Sequence, residues 1–218
     1  MNQRLTVDVV SDIVCPWCFI GKRRIERAAA ILDCAIDIRW HPFQLNPGMP
    51  VGGMSRREYR TSKFGSWEYS QKLDARVAEN GREAGIEFRH DLMERTPNSF
   101  RGHVLMAAAL KQGIDVQNRF AERLFTGYFT RGEDVGDVGV LLSISRECGV
   151  DAVSTPEDLD DPELGADVRA GEQSARDAGV QGVPLITYRG RLVSEGAGPP
   201  EILAQRLREN LDLSATSG

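Results

Sequence analysis

The chain has 218 residues, 41% apolar and 27% charged, with 27 Lys and Arg against 32 Asp and Glu. A chain of this length buries about 70% of its unfolded surface, so it can build a core without disulfide or metal staples. The net charge of −5 argues against nonspecific nucleic-acid binding, and no apolar run nears the ~18 residues of a membrane span.

Leu5, Val7, Val9 and Val10 predict a short buried strand. Asp8 and Asp12 interrupt this opening, and no apolar stretch of signal-peptide length stands there, so a cytoplasmic protein is expected. A turn at Ser11-Asp12 leads into Cys15-Pro16-Trp17-Cys18 and a helix to about Asp33, with Lys22, Arg23 and Arg24 read as its solvated face. Ala35, Ile36, Ile38 and Trp40 predict a second strand, hence a parallel β-α-β unit with a right-handed crossover. Prolines and glycines from Pro42 to Gly53 mark a long loop.

The next hundred residues read as successive helices. Ser55 with Glu58 has the capping-box pattern, Tyr69, Leu73 and Val77 form a stripe, and Gly85 suits a C-cap. Further stripes begin at Phe100, Phe120 and Val138, closed where Gly113 and Gly149 stand. Asp161-Pro162 predicts an N-cap with proline at the first helical position, opening a helix to about Ala178. Val183 to Tyr188 and Arg191 to Ser194 predict a hairpin turned at Arg189-Gly190. A last helix carries Ile202, Leu203, Leu207 and Leu211, and Ser214 to Gly218 reads as a flexible tail.

Four cysteines are too few for a disulfide scaffold, so Cys15 and Cys18 call for a chemical role. Pro16 at the first helical position makes Cys15 the N-cap and Cys18 the N3 residue, whose side chains approach one another. Cys15 sulfur would then face free N–H groups at the positive helix end, where thiolates are stabilised. The alternatives are half of a zinc site and two inert core thiols, but no second metal pair accompanies them among Cys34, Cys148, His41, His90 and His103. Far along the chain, Gly182-Val183-Pro184 stands between a helix and a strand, and Pro184 alone reads as an ordinary trans proline opening a strand.

The order of strand, Cys15-Pro16-Trp17-Cys18 helix, strand, helical stretch, Gly179-Val180-Gln181-Gly182-Val183-Pro184, hairpin and helix resembles DsbA-like thioredoxin-fold oxidoreductases, specifically their FrnE-like branch. The segments Asp12–Lys22, Trp40–Pro47, Thr96–Arg101, Gly182–Pro184 and Gly196-Ala197 carry this resemblance. It implies an α/β class: a thioredoxin-like fold over 1–45 and 162–213 with an all-helical insertion over 46–161. It implies Cys15 as nucleophile, Cys18 as resolving thiol and a cis Val183–Pro184 bond that presents Val183 to an extended substrate. Trp17 is read as a substrate platform or a shield for the sulfurs, and Asp12 as turn chemistry or a proton relay for Cys18. His41, Asn46 and Asn98 lie in matched motifs and are candidates for the substrate groove or for loop hydrogen bonds. The loop Ser194-Glu195-Gly196-Ala197-Gly198-Pro199-Pro200 departs from the family's compact Ser-Gly-Ala-Gln-Pro pattern.

The function this implies is a cytoplasmic thiol–disulfide oxidoreductase with no resident cofactor and no metal. Its partners would be glutathione, small thiols or protein cysteines, with glutathione a co-substrate. Glutathione-dependent isomerases and transferases share the fold, commonly with Ser where Cys15 stands, and a thioredoxin-like binding or zinc protein is the third reading. His90 and His103 are expected at the surface or satisfied on helices. Cys34 and Cys148 are read as non-catalytic thiols, with a disulfide between them left open.

Overall fold

Leu5, Val7, Val9 and Ser11 turn one face of β1 (Arg4–Ser11) into the core, while its other face is only half-buried, short of the full burial expected. The computed structural model describes residues 4–151 and 155–215. β1 pairs in parallel with β2 (Ala35–Pro42), from Arg4 opposite Ala35 to Ser11 opposite Pro42. The crossover between them is α1 (Pro16–Leu32), ended by Asp33 in the left-handed conformation. On its other side β1 pairs antiparallel with β5 (Leu185–Tyr188), which pairs antiparallel with β6 (Arg191–Glu195), giving the order β2-β1-β5-β6. Arg189 and Gly190 take positive φ at the hairpin turn, as a tight two-residue connection requires.

The chain between β2 and β5 is mainly helical. Met54–Ser55 (β3) and Arg95–Thr96 (β4) form a small ribbon that no alternation pattern announces. Around it stand α2 (Arg56–Phe64), α3 (Trp67–Ala84), α4 (Phe100–Gln112), α5 (Ile114–Arg131), α6 (Val138–Cys148), a 3-10 turn at Glu157–Asp160 and α7 (Pro162–Asp177). α8 (Pro200–Ala215) packs beside α1 and follows β6. It runs through two residues of the expected tail at 214–218, of which 216–218 lie outside the described residues.

Several local expectations change. Ser55 makes no side-chain cap; the chain breaks at Gly65, and Ser66 caps α3 by accepting from Tyr69 N at 3.0 Å. Tyr69 itself is 53% exposed, because Ser70, Asp74, Val77 and Gly81 form the inward stripe instead. Lys22 is buried, paired to Glu26 and Glu122, and Arg23 bonds Glu122 as well, so this face of α1 docks on α5 rather than on solvent. Arg24 reaches Ala197 O at 2.5 Å and Asn80 at 3.0 Å. His103 is buried, and His90 is largely so. Asp161 does cap α7, accepting from Glu163 N and Leu164 N.

Two features join the helices to the sheet. Phe19 stacks on Phe125 at 5.3 Å between centroids, and Phe125 meets Trp40 at 5.7 Å, so α1, α5 and β2 share one aromatic cluster. Gln117 covers the outer backbone edge of β2. Its Oε1 accepts from Trp40 N at 3.0 Å, and its Nε2 donates to Trp40 O at 3.0 Å and Met106 O at 3.2 Å. An edge strand needs such cover, and a buried amide left unpaired costs about 1–3 kcal/mol. Gln117→Leu strands both Trp40 groups, so it is expected to lower unfolding stability by about 2–4 kcal/mol, read as a shift of the urea midpoint at unchanged slope.

Candidate active site

The turn between β1 and α1 is built on one buried carboxylate. Asp12 is 0% exposed. Its Oδ1 accepts from Val14 N at 3.3 Å, its Oδ2 from Leu45 N at 2.8 Å, and its backbone O from Cys15 N at 3.0 Å. These bonds hold the start of α1 against the segment leaving β2. Asp12 therefore performs the turn chemistry expected of it and adds a long-range tie.

Cys15 is the N-cap of α1, Pro16 its first residue and Cys18 its third. The Cys15 side chain makes no capping bond, contrary to the expectation that it would face the helix N–H groups. Pro16 has no N–H, and Cys18 N already donates to Cys15 O at 3.1 Å. The Cys15 thiol turns instead to Val183 O, 3.6 Å away. Val183–Pro184 is a cis peptide bond. Gly21 of α1 permits this approach, since a Cβ there would stand 3.2 Å from Pro184 Cγ. Gly196 N donates to Pro184 O at 2.7 Å, and Arg24 holds Ala197, so the departing loop is anchored beside the proline.

The two sulfurs differ in access. Cys18 is 0% exposed, whereas Cys15 is 4% exposed and lines a cavity of about 400 Å³. Burial pushes the Cys18 thiol well above its ordinary range, and the adjoining Cys15 sulfur pushes it further, through hydrogen bonding and charge. Ser11 and the Asp12 backbone act in the opposite direction. Cys34 and Cys148 are free thiols raised by burial; Cys148 faces Arg119 O at 3.7 Å.

Trp17, Asn46 and Val183 share the Cys15 cavity. Asn46 Oδ1 accepts from Tyr59 OH at 2.7 Å and Lys63 Nζ at 2.9 Å, so it is bound into the wall. His41 and Asn98 lie elsewhere. His41 Nε2 pairs with Asp8 Oδ1 at 2.8 Å on the sheet edge. Asn98 clamps loops, donating to Met49 O at 2.6 Å and accepting from Phe100 N at 2.9 Å.

The far wall was not anticipated from the sequence. Asp74 takes Arg56 at 2.8 Å and Arg60 at 2.7 Å, and His90 stands 4.0 Å from it. With Lys63 and Arg76, four basic side chains face one carboxylate around this cavity. Burial, reinforced by Arg56 and Arg60 against the pull of Asp74, holds His90 below its ordinary pKa. One signal existed: α2 offers only Tyr59 and Phe64 to a core, so a helix that packs must bury charge. Among the described residues, no group of three His, Cys, Asp or Glu side chains is arranged to hold a metal. No described helix is long and apolar enough to cross a membrane.

Comparisons with known proteins agree with this architecture. A probable DsbA oxidoreductase from Streptomyces coelicolor is 28% identical, with a TM-score of 0.83 over 95% of this chain and 90% of that one. The cytosolic disulfide reductase DsbM from Pseudomonas aeruginosa, also solved with GSH, shares the fold at 21% identity and a TM-score of 0.65, over 96% of this chain and all of that one. The uncharacterized protein YwbO of Bacillus subtilis is 24% identical over 153 residues, 68% of each chain. The description "DSBA-like thioredoxin domain" matches residues 6–208, so the chain belongs to the DsbA-like thioredoxin-fold family.

Proposed function

We propose that this protein is a thiol–disulfide oxidoreductase acting through Cys15 and Cys18. The observation that carries the reading is their placement: one sulfur at the wall of a cavity beside Val183 O, the other sealed behind it. A substrate disulfide reaches Cys15 only. The Cys15 thiolate attacks one substrate sulfur, forms a mixed disulfide and expels the first substrate thiolate, which takes up a proton. Cys18 then loses its proton and attacks Cys15 Sγ, forming the Cys15–Cys18 disulfide and releasing the second substrate thiol. The substrate gains two electrons and two protons, and the protein loses them. The reverse sequence, driven by another dithiol or by two thiols, restores the enzyme. Pro184 contributes no N–H, which leaves the backbone at Val183 for an extended substrate segment.

The cation-rich wall favours small anionic substrates, and glutathione, with its two carboxylates, suits the bias of Arg56, Arg60, Lys63 and Arg76. Trp17 and Asn46 shape the mouth. The low cysteine count fits reaction in the cytoplasm, where structural disulfides are disfavoured.

Cys18→Ser is expected to accumulate a mixed disulfide on Cys15 when offered oxidised glutathione, seen as a covalent adduct by intact-mass analysis. Disulfide reduction by wild type with no trapped adduct in the variant contradicts the roles assigned, and glutathione turnover that survives the substitution points to the isomerase or transferase chemistry of this fold. Because burial raises the Cys18 pKa, its thiolate fraction climbs with pH. Stopped-flow resolution of the mixed disulfide should therefore accelerate through neutrality and beyond pH about 8.5, the ordinary thiol value; a plateau below it contradicts this. Arg60→Gln should raise KM for oxidised glutathione about tenfold, the scale of one lost charged hydrogen bond, while leaving turnover of neutral hydroxyethyl disulfide within about twofold.

A further inference from the structure

Arg24 stands on α1 one turn beyond Gly21, with its side chain 14% exposed. Its guanidinium spans two other elements. Nη1 donates to Ala197 O at 2.5 Å, in the loop between β6 and α8, and Nη2 donates to Asn80 Oδ1 at 3.0 Å, on α3. Asn80 is oriented for this, because its Nδ2 donates to Arg76 O at 3.0 Å and leaves Oδ1 to accept. Neither acceptor is charged. The Glu83 carboxylate lies 3.9 Å from Arg24 and is 70% exposed, so that ion pair contributes little. A planar guanidinium that spends both ends on neutral acceptors fixes direction as well as distance, which a lysine ammonium does not.

Both arms lead to the Cys15 cavity. On the loop side, Ala197 follows Gly196, whose N donates to Pro184 O at 2.7 Å, and Pro184 follows Val183, whose O stands 3.6 Å from Cys15 Sγ. Ser194 Oγ and Gly198 N both close on Gly196 O, inside the loop, whereas Arg24 ties the loop to another element. Beneath it, a Cβ on Gly21 would stand 3.2 Å from Pro184 Cγ and 3.7 Å from Ala197 Cβ, so the loop rests directly on α1. On the helix side, Leu73, Asp74, Arg76 and Val77 of α3 line the cavity, and Asp74 holds Arg56 and Arg60. Arg24 thus joins two walls of the cavity across the helix that carries the sulfurs. A substrate segment that lies along Val183 and reaches the basic wall needs both at one fixed spacing.

We propose that Arg24 is a positioning residue of the exchange reaction: by fastening the loop behind Pro184 to α3, it holds the Val183 backbone where a peptide-borne disulfide pairs with it, and so favours disulfides flanked by peptide bonds over those that lack them. The proposal rests on the thiol–disulfide reading of Cys15 and Cys18 and adds a substrate preference to it.

Single turnovers of pre-reduced protein, quenched in acid and weighed, compare two uncharged disulfides: hydroxyethyl disulfide, and the symmetric disulfide of a tripeptide with cysteine at its centre and both ends blocked. Neither carries a carboxylate, so the basic wall favours neither. Arg24→Met keeps the side-chain stem and removes both donors. It should lower the peptide-to-hydroxyethyl ratio of second-order rate constants roughly 2- to 10-fold, the worth of one neutral backbone hydrogen bond. Asn80→Leu cuts only the α3 arm and should lower the ratio in the same direction. A loss of packing alone would slow both disulfides together. Equal losses on the two disulfides, or an unchanged ratio in either variant, overturns the proposal, and Asn80→Leu decides it if Arg24→Met does not fold. Wild-type protein that reduces neither disulfide overturns the exchange reading, and the proposal with it.

Discussion

The site depends on a carboxylate that water cannot reach. Asp12 gathers the backbone of Val14, Cys15 and Leu45 around itself, and so sets where β1 ends, where α1 begins and how the exit from β2 returns. A buried carboxylate is tolerable only when its oxygens are taken, since an uncompensated ion in the interior costs several kcal/mol. Its partners are mostly backbone, so they fix chain geometry rather than side-chain choice. His103, from the helical segment, stands against the same carboxylate and brings α4 to the end of β1. One residue thus joins the sheet, the sulfur-bearing helix and the helices that roof them.

That geometry makes two chemically identical side chains unequal. Cys15 stands at the N-cap, with the cavity before it and Val183 O beside it. Cys18 lies one turn deeper, where burial retains its proton. The difference requires no special group at Cys18, only that α1 be packed from both sides by Pro184 and by the aromatic cluster around Phe19 and Phe125. The helical segment then supplies what the sheet lacks. α2 and α3 bring Arg56, Arg60, Lys63 and Asp74 to the opposite wall, so Cys15 shares its cavity with a basic surface in a chain that is acidic overall.

The frame of this arrangement is legible in the sequence because it is written in local rules. The apolar strand runs, Pro16 inside a helix start, the Asp161-Pro162 cap and the Arg189-Gly190 turn each specify backbone conformation over a few residues, and each element appears where expected, although β1 buries one face fully rather than two. What escaped depends on tertiary context. Ser55 has the letters of a capping box but begins a helix from a paired strand, so its hydroxyl makes no cap. Lys22 looks solvated until α5 brings Glu122 to it. Asn98 shares a motif with site residues yet serves loops, because a side-chain amide near a helix start is most readily used by the backbone around it. The basic wall was invisible for the opposite reason: charged residues at helical spacing ordinarily face water, and only packing shows that Arg56 and Asp74 do not.

The account rests on the claim that Cys15 and Cys18 exchange electrons as a pair. Equilibrating the protein across a series of glutathione redox buffers, then alkylating and weighing it, tests this most directly. The account predicts one two-electron transition in which both thiols vanish together, with Cys34 and Cys148 still alkylated. Persistence of both thiols in every buffer, or separate glutathione adducts on Cys15 and Cys18 with no internal disulfide, would contradict it.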